Sequence, residues 1–464
     1  MKKRSHMPWY MLPVIFSLAW PTMLEQLMQT AVQYVDTAMV GSIGTSATAA
    51  VGSTTTVNWL LGSTIHAVAI GFLAFVAQAR GAGKCDTARR ASSQAALAVI
   101  FLGVLFTAIP LLLSGVVPSW MQVDEAIRPM ASRYFFIIYT PMLFRVANII
   151  FGTLLRAVGD TKTPMKVGIA VNIINIVLNA VLIYEPVSFT LLGADVRIPL
   201  AGLGIIGAAL ASAIAYAVGG VLITLAVYRH PEITPRGQKL RPDMAILAPC
   251  LKVALPNALQ RFGTSLGYVA FAAMVNSLGE LSTAAHTIAN TVESAFYIPG
   301  YGMQTATATL TGNAYGAKDE KKIKELFSTV VFLEVVMMII SGALLFIFAP
   351  AMMGLFSKDL EVIGLGATVL RMVAVSEPFY GVSIVIEGML QGMGKTTFPF
   401  VSNIVGMWLI RIVGTFVCIN LFSWGLVSAW ACMIIHNVML FALFFVYYLS
   451  GRWRPRNESE GLVV

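Results

Sequence analysis

Apolar stretches longer than about 18 residues recur along almost the whole of this 464-residue chain, and each is long enough to cross the hydrocarbon core of a bilayer. Twelve spans can be read, from 12–40 at one end to 425–449 at the other. Charged residues are only 11% of the chain, against about a quarter in soluble domains. That excludes a soluble globular fold. The opening MKKR and the run behind it do not read as a cleaved signal, because the run continues to Val40 without a small-residue cleavage site. With the N-terminus inside, 22 Lys and Arg fall in inside segments, and only Arg128, Arg133, Arg197 and Lys358 fall outside. The split follows the positive-inside rule, so a multi-pass protein of the cell membrane with both termini cytoplasmic is expected. The net charge of +9 then faces anionic lipid and calls for no nucleic-acid partner. Cys85, Cys250, Cys418 and Cys432 lack metal or redox spacing and read as packing residues.

The two halves repeat at a constant offset of 235 residues. It carries Pro21 to Pro256, Ser42 to Ser277, Gly44 to Gly279, Gly81–Ala82 to Gly316–Ala317, Gly159 to Gly394 and Pro164 to Pro399. Shared Gly and Pro weigh more than shared Leu and Ala, because they fix backbone geometry. Six spans per half is an even number, so both halves enter the membrane in the same direction. The fold expected is an all-α integral membrane protein, with twelve transmembrane helices in two parallel six-helix bundles related by a pseudo-two-fold axis along the membrane normal. The bundles are expected at 1–228 and 245–450, with a cytoplasmic linker at 229–244 and a cytoplasmic tail at 451–464. Paired kinks are expected at Pro21 and Pro256.

Several segments carry a family resemblance. They are VDTAMVGSIG (Val35–Gly44), QARGAGKCDTARR (Gln78–Arg90), LLRAVGDTKTPMKVGIAVNIINIVLN (Leu154–Asn179), GNAYGAKDE (Gly312–Glu320) and GMLQGMGKTTFP (Gly388–Pro399). In their order, topology and repetition the chain resembles the multidrug and toxic compound extrusion (MATE) transporters over nearly all its spans. The major facilitator superfamily shares the two-bundle plan, but its charged loop between spans two and three fits GAGKCDTARR only loosely.

Polar residues inside the spans point to chemistry. Gln26, Gln29, Gln33 and Asp36 step by three, four and three along one face of the first helix. An ionisable group mid-span costs about 2.5–3.5 kcal/mol, so it is expected to face a bundle interior or a water-filled cavity. Asp36 either braces the helix end or takes and releases a coupling cation; the second reading is adopted. Asn172, Asn175 and Asn179 form a stripe on span five, whose bland reading is interhelical hydrogen bonding. The resemblance implies a cation site made by a first-helix Asp, an Asn and an Asp on span five, and a hydroxyl on span six. Asp36 and Asn175 match, Asn179 replaces the second acid, and Ser212 stands for the hydroxyl; Gln33 belongs to the same face. One carboxylate binds Na⁺ less strongly than two, which favours H⁺ over Na⁺ as coupling ion. No other cofactor is expected.

In the second half, His286, Asn290, Glu293 and Tyr297 share a face of span eight. Arg261 lies in span seven, and its carboxylate partner is expected to be Glu293 or Glu25. Glu25, Gln29, Arg261, Asn290, Glu293, Tyr297 and Tyr380 are expected to line a substrate cavity. Glu377, Glu387 and Arg371 are read as a further charged cluster on span ten. A second, sodium-type site known from one subgroup of the family would need acids where this chain has Thr264 and Tyr380. With these readings, the resemblance implies a monomeric secondary antiporter that exports lipophilic, cationic organic compounds in exchange for H⁺ or Na⁺ by alternating access, with a small molecule and membrane lipids as partners. The alternative is a flippase for a lipid-linked or amphipathic substrate, although intramembrane cations (Arg145, Arg261, Arg371, Arg411 and, at a span end, Lys252) are few for that. An enzyme is disfavoured because no loop carries paired carboxylates or a nucleophile with its base. The GAGK at Gly81–Lys84 lacks phosphate-loop spacing.

Overall fold

The computed structural model describes residues 9–121, 123–191, 194–198, 200–454 and 462, so the first eight residues and most of the expected tail lie outside the described residues. The helices of the first half are α1 (Leu12–Gly41), α2 (Thr45–Gly81), α3 (Cys85–Leu113), the short α4 (Val117–Trp120), α5 (Arg128–Tyr139), α6 (Met142–Ala157), α7 (Lys162–Ile183) and α8 (Gly204–Arg229). Those of the second are α9 (Met244–Asn276), α10 (Glu280–Phe296), α11 (Ile298–Gly316), α12 (Glu320–Gly354), α13 (Leu360–Gly392), α14 (Thr397–Val405), α15 (Val413–Phe416) and α16 (Leu426–Leu449). Among the described residues, nine helices are long and apolar enough to cross a membrane, and α5 with α6, bent by 45°, makes a tenth pass. α9 carries Lys252, Asn257, Gln260 and Arg261, and α10 with α11 is divided at Tyr297. Neither passes on apolar length alone, yet each fills the place of an expected span. The fold is the multi-pass helical one expected, with one addition. A two-stranded antiparallel hairpin, β1 (Val187–Leu191) and β2 (Ala194–Ile198), occupies the long connection before α8.

The 235-residue repeat extends from residue identity to backbone. The ends of α1 and α9 (Gly41, Asn276), the starts of α2 and α10 (Thr45, Glu280) and the ends of α2 and α11 (Gly81, Gly316) are all separated by that offset. So are the starts of α3 and α12, the ends of α6 and α13, and the starts of α7 and α14. Left-handed turns repeat as well: Gly159 (φ 85) matches Gly394 (φ 76). Gly83 (φ 71) matches Lys318 (φ 57), where a side chain is tolerated in a region that usually selects Gly. Pro21 and Pro256 lie inside α1 and α9, and both helices continue through them. The repeat diverges between α2 and its counterpart. α2 runs unbroken through Gly62, whereas its counterpart breaks at Tyr297, just before Pro299.

Contacts divide the chain into two compact units, Met1–Met23 with Leu73–Lys84 and Ala248–Val464, and Leu24–Phe72 with Cys85–Leu247. In the second of these, α6 packs on α3 and α8, and α7 runs along α8. Gly207, Ala208, Ala211, Ala215 and Gly219 of α8 are buried and let neighbouring helices approach closely, as small residues do between membrane helices. In the first, α13 packs on α11, α12 and α16. There the C-terminal end of α2 crosses that of α11, with Gly81 against the Asn313 backbone and Gly316 against the Gln78 backbone. These two contacts are repeat images of one another, and a Cβ on either glycine would overlap main chain. Gly316→Ala is therefore expected to lower the unfolding midpoint, by the equivalent of roughly 1–3 kcal/mol. Gly364→Ala, where no atom lies within 4 Å of the added carbon, serves as the control. Equal midpoints for the two variants would refute the close crossing.

Candidate functional site

The polar stripe of α1 meets that of α7 around one carboxylate. Asp36 sits five residues before the end of α1 and is half-buried, while Asn175 and Asn179, one turn apart on α7, are buried. Asn179 Nδ2 donates to Asp36 Oδ1 at 2.7 Å. The Asn175 amide lies 2.8 and 3.2 Å from the two Asp36 oxygens on one side and 3.0 Å from Ser212 Oγ on the other. Elementary donor and acceptor counting links its orientation to the proton on Asp36. With Asp36 ionised, Asn175 Nδ2 donates to the carboxylate and Ser212 donates to Asn175 Oδ1. With Asp36 protonated, the acid donates to Asn175 Oδ1, Asn179 Nδ2 also reaches that oxygen at 3.1 Å, and Asn175 Nδ2 donates to Ser212. One amide rotation thus keeps Asp36, Asn175 and Ser212 hydrogen-bonded to one another in both states. Asn179 Oδ1 is a buried acceptor without a hydrogen-bond partner among the described residues, which is the kind of ligand a hard cation also uses. Of the expected coupling set, Asp36, Asn175, Asn179 and Ser212 come together, while the Gln33 side chain is exposed and stands outside the network.

Glu25 belongs to a different interaction from the one expected. Arg156 Nη2, on α6, donates to both of its oxygens at 2.6 and 2.8 Å. Gly168 of α7 lies against the Glu25 side chain, where an added Cβ would be 3.3 Å from Glu25 Cγ. Arg261 donates from Nε to Asn257 Oδ1 at 3.0 Å, and the carboxylate whose charge faces it is Glu387. The expectation that Glu293 or Glu25 neutralises Arg261 is therefore corrected. Glu387 in turn accepts from Gln260 at 2.9 Å, Gln391 at 3.2 Å and Asn403 at 3.4 Å.

In the C-terminal helices, Tyr297 donates to Glu293 Oε1 at 2.5 Å, and its ring packs edge-on against Tyr380 with centroids 4.9 Å apart. Those three expected residues come together. Gln29 and Asn290 are exposed, and no side-chain hydrogen bond is found for either among the described residues. The charged cluster expected on span ten is not one cluster. Arg371 is exposed over the Phe346 ring, Glu387 belongs to the amide group around Gln260, and Glu377 is fully buried. Glu377 instead lies near Glu293 and Glu334, close enough for their charges to interact. Neither oxygen of Glu334 or Glu377 has a hydrogen-bond partner among the described residues. Glu334 was not singled out from the sequence, because a single acid in FLEVVMMII has no polar neighbour at helical spacing.

A family model described as MatE matches residues 21–181 and 256–417, two segments that begin 235 residues apart. A relative in Thermotoga maritima, named a probable multidrug resistance protein NorM, is 26% identical over 442 residues, covering 95% of this chain and 93% of its own. A MOP superfamily transporter from Pyrococcus furiosus Vc1 is similar in structure, with a TM-score of 0.86 and 22% identity over 94% of this chain and 95% of that one. A MATE crystal structure in complex with MaL6 aligns equally well, at a TM-score of 0.86 and 22% identity, over 95% of both chains. At that identity the structural likeness speaks for the fold.

Proposed function

Because the chain belongs to the MatE family of multi-pass membrane transporters, we propose that it is a secondary antiporter that exports lipophilic, cationic organic compounds from the cell in exchange for H⁺. The observation that carries this reading is the cluster closing on Asp36, which keeps its hydrogen bonds whether or not the carboxylate holds a proton. A single carboxylate that keeps amide partners in both protonation states can load a proton in one orientation of the transporter and release it in the other. The names of the relatives, which refer to multidrug resistance, support the substrate class. In this reading the protein lies in the cell membrane as a monomer, with both termini cytoplasmic.

Export of a fluorescent organic cation from proteoliposomes, under an imposed H⁺ gradient or an imposed Na⁺ gradient, tests the proposal. Export driven by the H⁺ gradient alone is expected. Export driven only by Na⁺ would move the assignment to the orphaned Asn179 oxygen as a Na⁺ ligand, and no export under either gradient would remove the antiporter reading. Asn179→Asp adds a second acid beside Asp36, so it is expected to make export respond to Na⁺ where the wild type does not. An unchanged ion preference in that variant would count against a one-carboxylate origin of H⁺ coupling.

A further inference from the structure

The C-terminal unit contains a buried cation that the antiport mechanism leaves unused. Arg411 lies in a stretch of π-helix, Gly406–Ile412, between α14 and α15, and only 4% of it is exposed. Single π turns inside α-helices recur at functional sites because they re-aim a side chain. Here the guanidinium carbon is placed 4.3 Å from the centre of the Phe271 ring and 4.9 Å from that of Tyr268, both on α9. Among the described residues Arg411 makes no ion pair, and its Nε has no hydrogen-bond partner. Each of the polar groups near it has one N–H to offer: an indole and two imidazoles. His286 packs edge-on against both Phe271 and Trp430, at 5.5 and 5.9 Å between ring centres. His436 lies against Gly406, and both histidines are near enough to feel the charge of Arg411. The indole N–H of Trp430, Nδ1 of His286 and both ring nitrogens of His436 are buried and unpartnered among the described residues. The carboxylate nearest in charge is Glu293, which already accepts from Tyr297 at 2.5 Å.

A buried cation that no carboxylate pairs among the described residues, close to aromatic faces and to unfilled indole and imidazole N–H groups, has the composition of an anion site. We propose that Arg411, Trp430, His286 and His436 form an intramembrane site for one monovalent anion, supplied either as a halide from solution or as the carboxylate of a bound organic compound. The site lies wholly within helices of one compact unit, and its test does not depend on the identity of the coupling ion. The polarised Trp and Arg N–H groups would point to the ligand, and the aromatic rings would exclude water from it.

The full-length protein in nanodiscs is heated in sodium chloride, sodium bromide or sodium sulfate at equal Na⁺ concentration. A ligand held only by the native state raises the midpoint, so a saturable rise of about 2–4 °C in chloride or bromide over sulfate is expected if the anion is a halide. In sulfate, the free-acid form of a rhodamine dye is compared with its methyl ester. Stabilisation by the acid and not by the ester identifies a carboxylate as the ligand. Trp430→Phe keeps an aromatic ring and removes one donor; it is expected to weaken the apparent affinity about tenfold, and its midpoint in the reference salt reads separately the cost of the smaller ring at this fully buried position. Arg411→Gln is expected to abolish the response. Midpoints that are equal in all three salts and equal for acid and ester would overturn the site, as would an anion response that Trp430→Phe leaves unchanged.

Discussion

Asp36→Asn is expected to insert, fold and purify like the wild type and to lose gradient-driven export, down to the leak of protein-free liposomes. Two physical arguments separate these outcomes. Asn has nearly the shape of Asp, and its amide oxygen can still accept from Asn179 Nδ2, which donates to Asp36 Oδ1 at 2.7 Å. Removing a charge from a membrane span also lifts an insertion cost of about 2.5–3.5 kcal/mol, so the variant has no reason to be unstable. What it cannot do is change charge. An amide at position 36 fixes the cluster in one arrangement, and the rotation of Asn175 between Asp36 and Ser212 loses its cause. The measurement is dye export under an imposed H⁺ gradient, with binding of the same dye recorded in parallel. Bound but unexported dye is the expected pattern. Wild-type export from the Asn variant would show that coupling resides elsewhere, and the buried acids Glu334 and Glu377 would be the next to test.

The cluster itself was legible because it is built from helical periodicity. Asn175 and Asn179 are four apart and must share a face of α7, and a lone acid inside a span calls for polar partners, although the exposed Gln29 and Gln33 of its stripe do not join it. The repeat was legible for a similar reason. Gly and Pro restrict backbone geometry locally, so their spacing survived into helix boundaries that keep the same 235-residue offset. Other features had no local signal. The pairing of Glu25 with Arg156 joins residues 131 positions apart, and nothing at either place distinguishes that partner from Arg261. The bent pass at Thr140–Pro141 follows from its proline, but the continuity of α13 through Pro378 shows that tertiary packing decides whether such a residue breaks a helix. The hairpin at Val187–Ile198 lies in a connection too long for a simple turn, where a strand pair supplies the backbone hydrogen bonds that a loop would lack. Arg411 was visible as an intramembrane cation; that its neighbours are aromatic rings, an indole and two imidazoles rather than a paired acid emerged only when α9, α10 and α16 were brought around it.

The second large effect is on stability. Arg156→Ala is expected to lose most folded protein, because it strands the Glu25 carboxylate among packed helices. The two side chains are only 17% and 11% exposed, and Arg156 Nη2 reaches both oxygens of Glu25. Removing one partner of a buried pair costs about 3–5 kcal/mol, largely from the charge left behind rather than from the attraction lost. Glu25→Gln should therefore do less harm than Arg156→Ala, since the longer cation can seek solvent and the amide needs no counter-charge. The decisive variant is the double one. If the stranded carboxylate is the problem, adding Glu25→Gln to Arg156→Ala restores most of the lost unfolding free energy, a non-additive outcome. If the double variant is no more stable than Arg156→Ala alone, Arg156 acts through packing and its other contacts, and the ion pair is not what ties α1 to α6. A restored double variant that also exports dye would separate this brace from the coupling chemistry at Asp36, eleven residues further along the same helix.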